Sequence, residues 1–151
     1  ETDIRRSNMS KVAIIYWSGT GNTEKMAEAI YSRLKEKEVD ADLIQAGAFT
    51  SADLDKYNAF AFGCPAMGNE ELEEGEFEPM FESVEDSLAN KATVIFGSYE
   101  WNDGQWMIDW QERCEDHDIN LAANGLTAYG EPGQEDINAC YDLADSLIAM
   151  I

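Results

Sequence analysis

Apolar residues along the chain alternate between two periods. Val12 to Trp17 is a continuous apolar run, the pattern of a central parallel strand buried on both faces. Met26, Ala27, Ile30 and Leu34 then recur at helical spacing, which predicts a helix from about Thr23 to Glu38. Ala41 to Ala46 reads as a weaker strand, Ser51 to Leu54 as a turn or short helix, and Ala59 to Gly63 as a short buried strand. A loop opening with Cys64-Pro65-Ala66-Met67-Gly68 leads into a helix whose apolar positions are Phe77, Met80, Phe81, Val84 and Leu88. Thr93 to Gly97 is another buried strand, and the loop Ser98 to Gly104 precedes a helix with Met107, Trp110 and Cys114 on one face. Ile119 to Tyr129 holds one strand, with Asn124-Gly125 as a candidate interruption. Ile137, Cys140, Tyr141, Ala144, Leu147 and Ile148 mark a terminal helix.

Five strands alternating with four helices through short connections predict an α/β fold, a parallel sheet with helices on both faces and right-handed crossovers. Ligands on such sheets bind beyond the carboxyl ends of the strands, where the winding reverses. Three loops of unusual composition follow strands one, three and four, as that rule requires. The 151 residues fit one domain, expected over 11–151, with 1–10 as a disordered or added extension. Those first residues have no apolar segment of the kind a secretory signal needs, and no apolar run reaches the roughly 18 residues of a membrane span. The three cysteines, Cys64, Cys114 and Cys140, are odd in number and far apart, with His117 the only histidine. This argues against structural zinc and for small buried hydrophobes in a reducing cytoplasm.

Ser18-Gly19-Thr20-Gly21-Asn22-Thr23 lies between the first strand and the first helix. Unpaired amides and the macrodipole at a helix start favour an anion, and this loop adds three hydroxyls and a carboxamide, with no lysine or arginine. No Gly-Lys pair occurs in the chain, which argues against a triphosphate loop. Glu24 stands where a dinucleotide fingerprint needs its third glycine. A terminal monophosphate ester remains, although a serine- and glycine-rich helix start is also an ordinary structural feature. Trp101, inside the polar segment Ser98 to Gly104, suggests a flat partner to stack on, with Met67 able to close the opposite face; an aromatic folded back on the core is the alternative. Trp106 reads as packing.

The formal charge is −21 and uneven: between Lys56 and Arg113 the only basic residue is Lys91, and none follows Arg113. Such a surface disfavours nucleic acid and anionic membranes and favours basic patches on partners, unless it serves solubility alone.

At these residues the chain resembles the flavodoxins, specifically the short-chain group of anaerobic bacteria. The resemblance runs from about Lys11 to the C-terminus. It rests on Tyr16 to Thr23, Gly63 to Gly68, the Phe77-Glu78-Pro79 helix start and Phe96 to Tyr99. It implies a doubly wound five-stranded sheet of order 2-1-3-4-5. It further implies noncovalent FMN, with Ser18, Gly19, Thr20, Gly21, Asn22 and Thr23 at the phosphate and Met67 and Trp101 on the two ring faces. Pro65, Ala66, Gly68, Asn69, Glu70, Gly97, Ser98, Tyr99, Glu100, Asn102 and Asp103 complete the implied contact set, with Glu70 accepting from flavin N3–H. In the family the peptide after the residue matching Gly68 flips on one-electron reduction, and Gly68 followed by Asn69 tolerates the positive φ this needs.

The implied function is that of a soluble, monomeric, low-potential one-electron carrier, shuttling between semiquinone and hydroquinone and serving flavin or iron–sulfur oxidoreductases with basic docking patches. An FMN-dependent NAD(P)H:quinone reductase is the enzymatic alternative. The absence of basic residues near the loops to receive a nicotinamide phosphate weighs against it. A flavin-free interaction module is a third reading.

Relatives commonly carry Gly-Trp-Gly where this chain has Glu100-Trp101-Asn102. A carboxylate roughly 6 Å from the ring at an effective dielectric near 40 contributes about 1.4 kcal/mol, or on the order of 60 mV for one electron. Unless the Glu100 side chain points into water and has no measurable effect, Glu100→Gly is expected to raise the semiquinone/hydroquinone potential by about 60 mV, and a potentiometric titration in which it stays put contradicts this.

Overall fold

The computed structural model describes residues 10–151. The extension expected over 1–10 lies, apart from Ser10, outside the described residues. The strands are β1 (Lys11–Tyr16), β2 (Asp40–Gln45), β3 (Ala59–Gly63), β4 (Ala92–Tyr99), β5 (Asn120–Leu121) and β6 (Leu126–Tyr129). The α-helices are α1 (Asn22–Glu36), α2 (Phe77–Val84), α3 (Gln105–Asp116) and α4 (Gln134–Ile148). All strand pairs are parallel, in the order β2-β1-β3-β4, with β5 and then β6 along the far side of β4.

Alternation along the strands builds two cores. Val12, Ile14 and Tyr16 of β1, with Ala59, Ala61 and Val94, face Met26, Ile30 and Leu34 of α1 and Cys140, Ala144 and Leu147 of α4. Ala13, Ile15, Phe60, Phe62 and Ile95 point the other way, against Phe77 and Phe81 of α2 and Trp106 and Trp110 of α3. On that side Phe77 and Phe81 each meet the Trp110 indole edge to face, with centroids 5.5 and 5.8 Å away. Such pairs each add about 1 kcal/mol beyond their burial. On the opposite side the Arg33 guanidinium joins α1 to α4 through Asp145, at 3.0 and 2.8 Å.

Three elements differ from the sequence-based reading. The fifth strand position is filled by two short strands, because the chain leaves the sheet between Leu121 and Leu126. Gly125 there passes so close to α3 that a Cβ would sit 2.5 Å from the Met107 sulfur. Gln111 secures the detour by accepting from Gly125 N at 2.8 Å and donating to Asn124 at 3.1 Å. Strand β4 runs on through Ser98 and Tyr99, which pair with Ala128 and Tyr129, so these two are strand rather than loop residues. The helix expected to run to Leu88 ends at Val84 and finishes as a 3₁₀ turn over Glu85–Leu88.

At that turn Arg113 of α3 is clamped between Glu78 (2.9 and 2.7 Å) and Glu85 (2.6 and 3.1 Å) and stacks on Phe81. His117 lies beside it, with Nδ1 2.9 Å from the Arg113 carbonyl and Nε2 3.4 Å from Asp86 and 3.9 Å from Glu85. The Arg113 carbonyl first, then the two carboxylates, hold the His117 pKa above its ordinary 6.5. A raised folded value stabilises the fold fully below the unfolded pKa, and this contribution is lost as pH rises through the folded pKa. Accordingly, urea unfolding should show His117→Gln less stable than the parent at about pH 5.5 and indistinguishable from it at about pH 8.5. An equal deficit at both pH values would contradict the assignment.

Candidate functional site

The carboxyl ends of β1, β3 and β4 open into one cavity of about 160 Å³. Its walls are Trp17, Gly19 and Thr20 after β1, Pro65 to Gly68 after β3, and Ser98 to Asn102 at the end of β4. Eleven of the nineteen residues singled out in the sequence therefore share one opening, and the other eight lie around it.

After β1, Trp17 N still donates to Gly63 O at 3.0 Å, and the chain then turns. Ser18 Oγ accepts from Gly21 N at 3.1 Å and from Glu24 N at 3.2 Å, which makes it the side-chain cap of α1. Gly21 adopts the left-handed conformation (φ 98°) that glycine reaches without a Cβ clash. The amides of Gly19, Thr20 and Thr23 have no hydrogen-bond partner among the described residues. Thr20 Oγ1 receives only a 3.5 Å contact from Asn22 N. The Thr23 hydroxyl is turned inward: it is buried, lies 2.9 Å from Ser98 Oγ and accepts from Ser98 N at 3.3 Å. Lys25, the first cation after the loop, is ion-paired with Glu131. Below the loop the Tyr16 hydroxyl donates to Glu24 at 3.2 Å; burial first, then Glu24, raises its pKa.

The second loop is tied to the third. Ala66 N donates to Ser98 O at 3.0 Å, and Met67 to Glu70 form a turn closed by Glu70 N donating to Met67 O at 2.9 Å. The residue with positive φ in this turn is Glu70 (φ 59°), rather than Gly68 or Asn69. That conformation sends its carboxylate across to the start of α3, where it accepts from Asp103 N at 2.9 Å and Trp106 N at 3.2 Å. Asn69 and Glu70 thus stand outside the cavity wall. Cys64, fully buried like Cys114 and Cys140, is a free thiol whose pKa is pushed up by burial.

In the third segment the Trp101 indole is 77% exposed at the cavity mouth, while Trp106 is buried in the core. Asn102 Nδ2 donates to Met67 O at 2.9 Å. Asp103 lies off the cavity and caps Gln105 N at 3.2 Å. Neither Glu100 nor Asn102 has positive φ; Gly104 does, at 92°. Gly97 also lies off the cavity wall. A Cβ there would sit 2.0 Å from the Cys64 carbonyl, which also accepts from Trp106 Nε1 at 3.2 Å, so its role is to let β3 and β4 end close together. Trp17, half-buried on the cavity wall, is a lining residue that the contact set expected from the sequence does not include. Its position directly before the serine–glycine loop was the available signal.

The donor set suits a flat ring carrying an anionic tail: an apolar cavity lined by a thioether and an indole, beside neutral donors at a helix start. Among the described residues no group of three or more His, Cys, Asp or Glu side chains is arranged to hold a metal ion.

The sequence profile of the family described as flavodoxin matches residues 14–143. The flavodoxin of Clostridium beijerinckii is 40% identical over 121 residues, covering 80% of this chain and 88% of that protein. The flavodoxin of Megasphaera elsdenii is 42% identical over 105 residues, covering 70% of this chain and 77% of its own. The solution structure of the two-electron reduced Megasphaera elsdenii flavodoxin superposes with a TM-score of 0.81 at 35% identity, over 91% of this chain and 98% of that one. A profile spanning most of the domain and relatives matched over most of their length place the chain in the flavodoxin family.

Proposed function

We propose that FMN lies across the carboxyl ends of β1, β3 and β4, with its phosphate on Ser18 to Thr23 and its ring between Met67 and Trp101. As a flavodoxin, the chain is a small FMN-binding electron carrier that passes electrons to redox partners, rather than an enzyme. FMN supplies the redox chemistry when bound; the residues of the chain bind it, orient it and keep water from it. The observation that carries the proposal is that a highly exposed indole and a thioether line the same apolar cavity as Gly19 and Thr20, whose amides no described residue satisfies.

Each residue has a part in this reading. The amides of Gly19, Thr20 and Thr23, the Thr20 hydroxyl and the Asn22 carboxamide meet the phosphate, while Ser18 and Gly21 hold the loop in shape. Thr23 and Ser98 brace the phosphate helix against β4. Pro65, Ala66, Met67 and Gly68 form one side of the ring slot, with Asn69 just outside it, and Ser98, Tyr99, Glu100, Trp101 and Asn102 the other. Gly97 sets the approach of the strands, and Asp103 the start of α3. Two of the roughly four lone-pair positions on the Glu70 carboxylate are taken by backbone amides, which leaves capacity for the ring N3–H. Glu100 in the cavity wall disfavours further negative charge there, consistent with a low-potential one-electron carrier.

The charge of −21 favours partners with basic docking patches. Three buried free cysteines fit a reducing cytoplasm, such as that of an anaerobic bacterium, and no helix among the described residues is long and apolar enough to cross a membrane. The protein acts as a monomer in this reading.

Apoprotein mixed with FMN should turn yellow, and it should accept electrons one at a time in a reductive titration. With NADPH and a quinone but no reductase, it should turn over negligibly. A colourless product or sustained NADPH oxidation would contradict the proposal.

Within the loop, two hydroxyl deletions should separate. Thr20→Ala is expected to weaken FMN binding about tenfold by calorimetry, with potentials unchanged and apoprotein stability altered by less than about 0.5 kcal/mol. Ser18→Ala, which uncaps α1, should lower apoprotein stability by about 1 kcal/mol in urea.

A further inference from the structure

The turn Met67–Glu70 is fastened at both ends to the segment that carries Trp101. At its first residue the Met67 carbonyl accepts both the turn's own Glu70 N–H and the Asn102 carboxamide, each at 2.9 Å. At its last residue the Glu70 carboxylate spans Asp103 N and Trp106 N, at 2.9 and 3.2 Å. Only the two central residues, Gly68 and Asn69, are both exposed and unanchored to that segment, and a Cβ on Gly68 would touch nothing within 4 Å. Met67 and Trp101 both line the cavity, and Asn102, which follows Trp101 directly, lines it too.

We infer that Asn102 is a positioning residue that latches the Trp101 loop to the Met67 turn, setting the width of the ring slot before FMN enters and confining movement of the turn to the Gly68–Asn69 peptide. This rests on the FMN reading above. The Asn102 side chain is half-buried, so its bond to Met67 O is partly shielded from competing water. The bond depends on this side chain, since a glycine at position 102 would supply no donor. Glu70 fixes the far end of the turn through a carboxylate, so the two struts act on opposite ends of one four-residue segment. A slot whose walls are held at a set separation loses less freedom when a ring enters and releases that ring more slowly.

Asn102→Ala deletes the donor, and Asn102→Asp replaces it with a near-isosteric acceptor that faces a carbonyl. Two readouts test the latch. In apoprotein, amide hydrogen exchange at Glu70 should quicken about fivefold in Asn102→Ala and more in Asn102→Asp, with the β3 amides and the global unfolding midpoint unchanged. In reconstituted protein, FMN release followed by fluorescence should quicken about fivefold and at least tenfold, respectively. Exchange and release both within twofold of the parent in Asn102→Asp overturn the proposal. Faster exchange with unchanged release also overturns it, because the bond then ties loops together without shaping the slot. A parent chain that binds no FMN refutes the functional reading instead, and the apoprotein exchange still decides whether the latch exists.

Discussion

The geometry of the site follows from one constraint, the burial of β1 on both faces between two parallel neighbours. A parallel strand must be followed by a crossover, and a strand with apolar residues on both sides needs a helix over each face. The chain therefore leaves β1 toward one side, into α1, and leaves β3 toward the other, into α2. The loops after these adjacent strands diverge, and a crevice opens between Trp17 and Ala66 because no connection can fill it. Ser18, Met67 and Trp101 lie far apart in the sequence, yet all three belong to the same end of the sheet.

That divergence would leave flexible loops around an open space if nothing tied them back. Only four polar or charged residues are buried among those described, Thr23, Glu85, Thr93 and Ser98. Thr23 and Ser98 are each other's partners, joining the first turn of α1 to the end of β4. The Cys64 carbonyl, pressed against Gly97 and bonded to Trp106, locks β3 to β4 and to the start of α3. The loops are thus braced by hydrogen bonds that cost little desolvation because both partners are satisfied.

The elements and the three loops were legible in the sequence because they depend on local periodicity and on the chemistry of consecutive residues. Val12 to Trp17 and the alternating cores of β3 and β4 need no knowledge of the rest of the chain. What escaped was decided by contacts between distant segments. Nothing near Glu70 announces that it will turn left-handed to cap a helix more than thirty residues on. Nothing near Thr23 says that its hydroxyl faces Ser98 rather than solvent. Ser98 and Tyr99 extend β4 only because β6 arrives beside them, and the gap between β5 and β6 reflects the close pass of Gly125 over Met107. Trp17 looked like the last residue of an apolar run, and only the opening of the crevice makes it a wall.

The cation-free loop between Tyr16 and α1 has one more consequence. An anionic ligand bound there approaches a protein of like charge, and it is held by dipoles rather than by lysine or arginine. Dissolved salt screens the long-range repulsion beyond about 8 Å at physiological ionic strength but leaves the short contacts to the amides nearly intact. Docking of a partner through a basic patch, as proposed above, would depend on the same field with the opposite sign. Raising ionic strength should therefore tighten the hold on the cofactor while loosening the hold on the partner, so a single solution variable separates retention of the redox group from delivery of its electron.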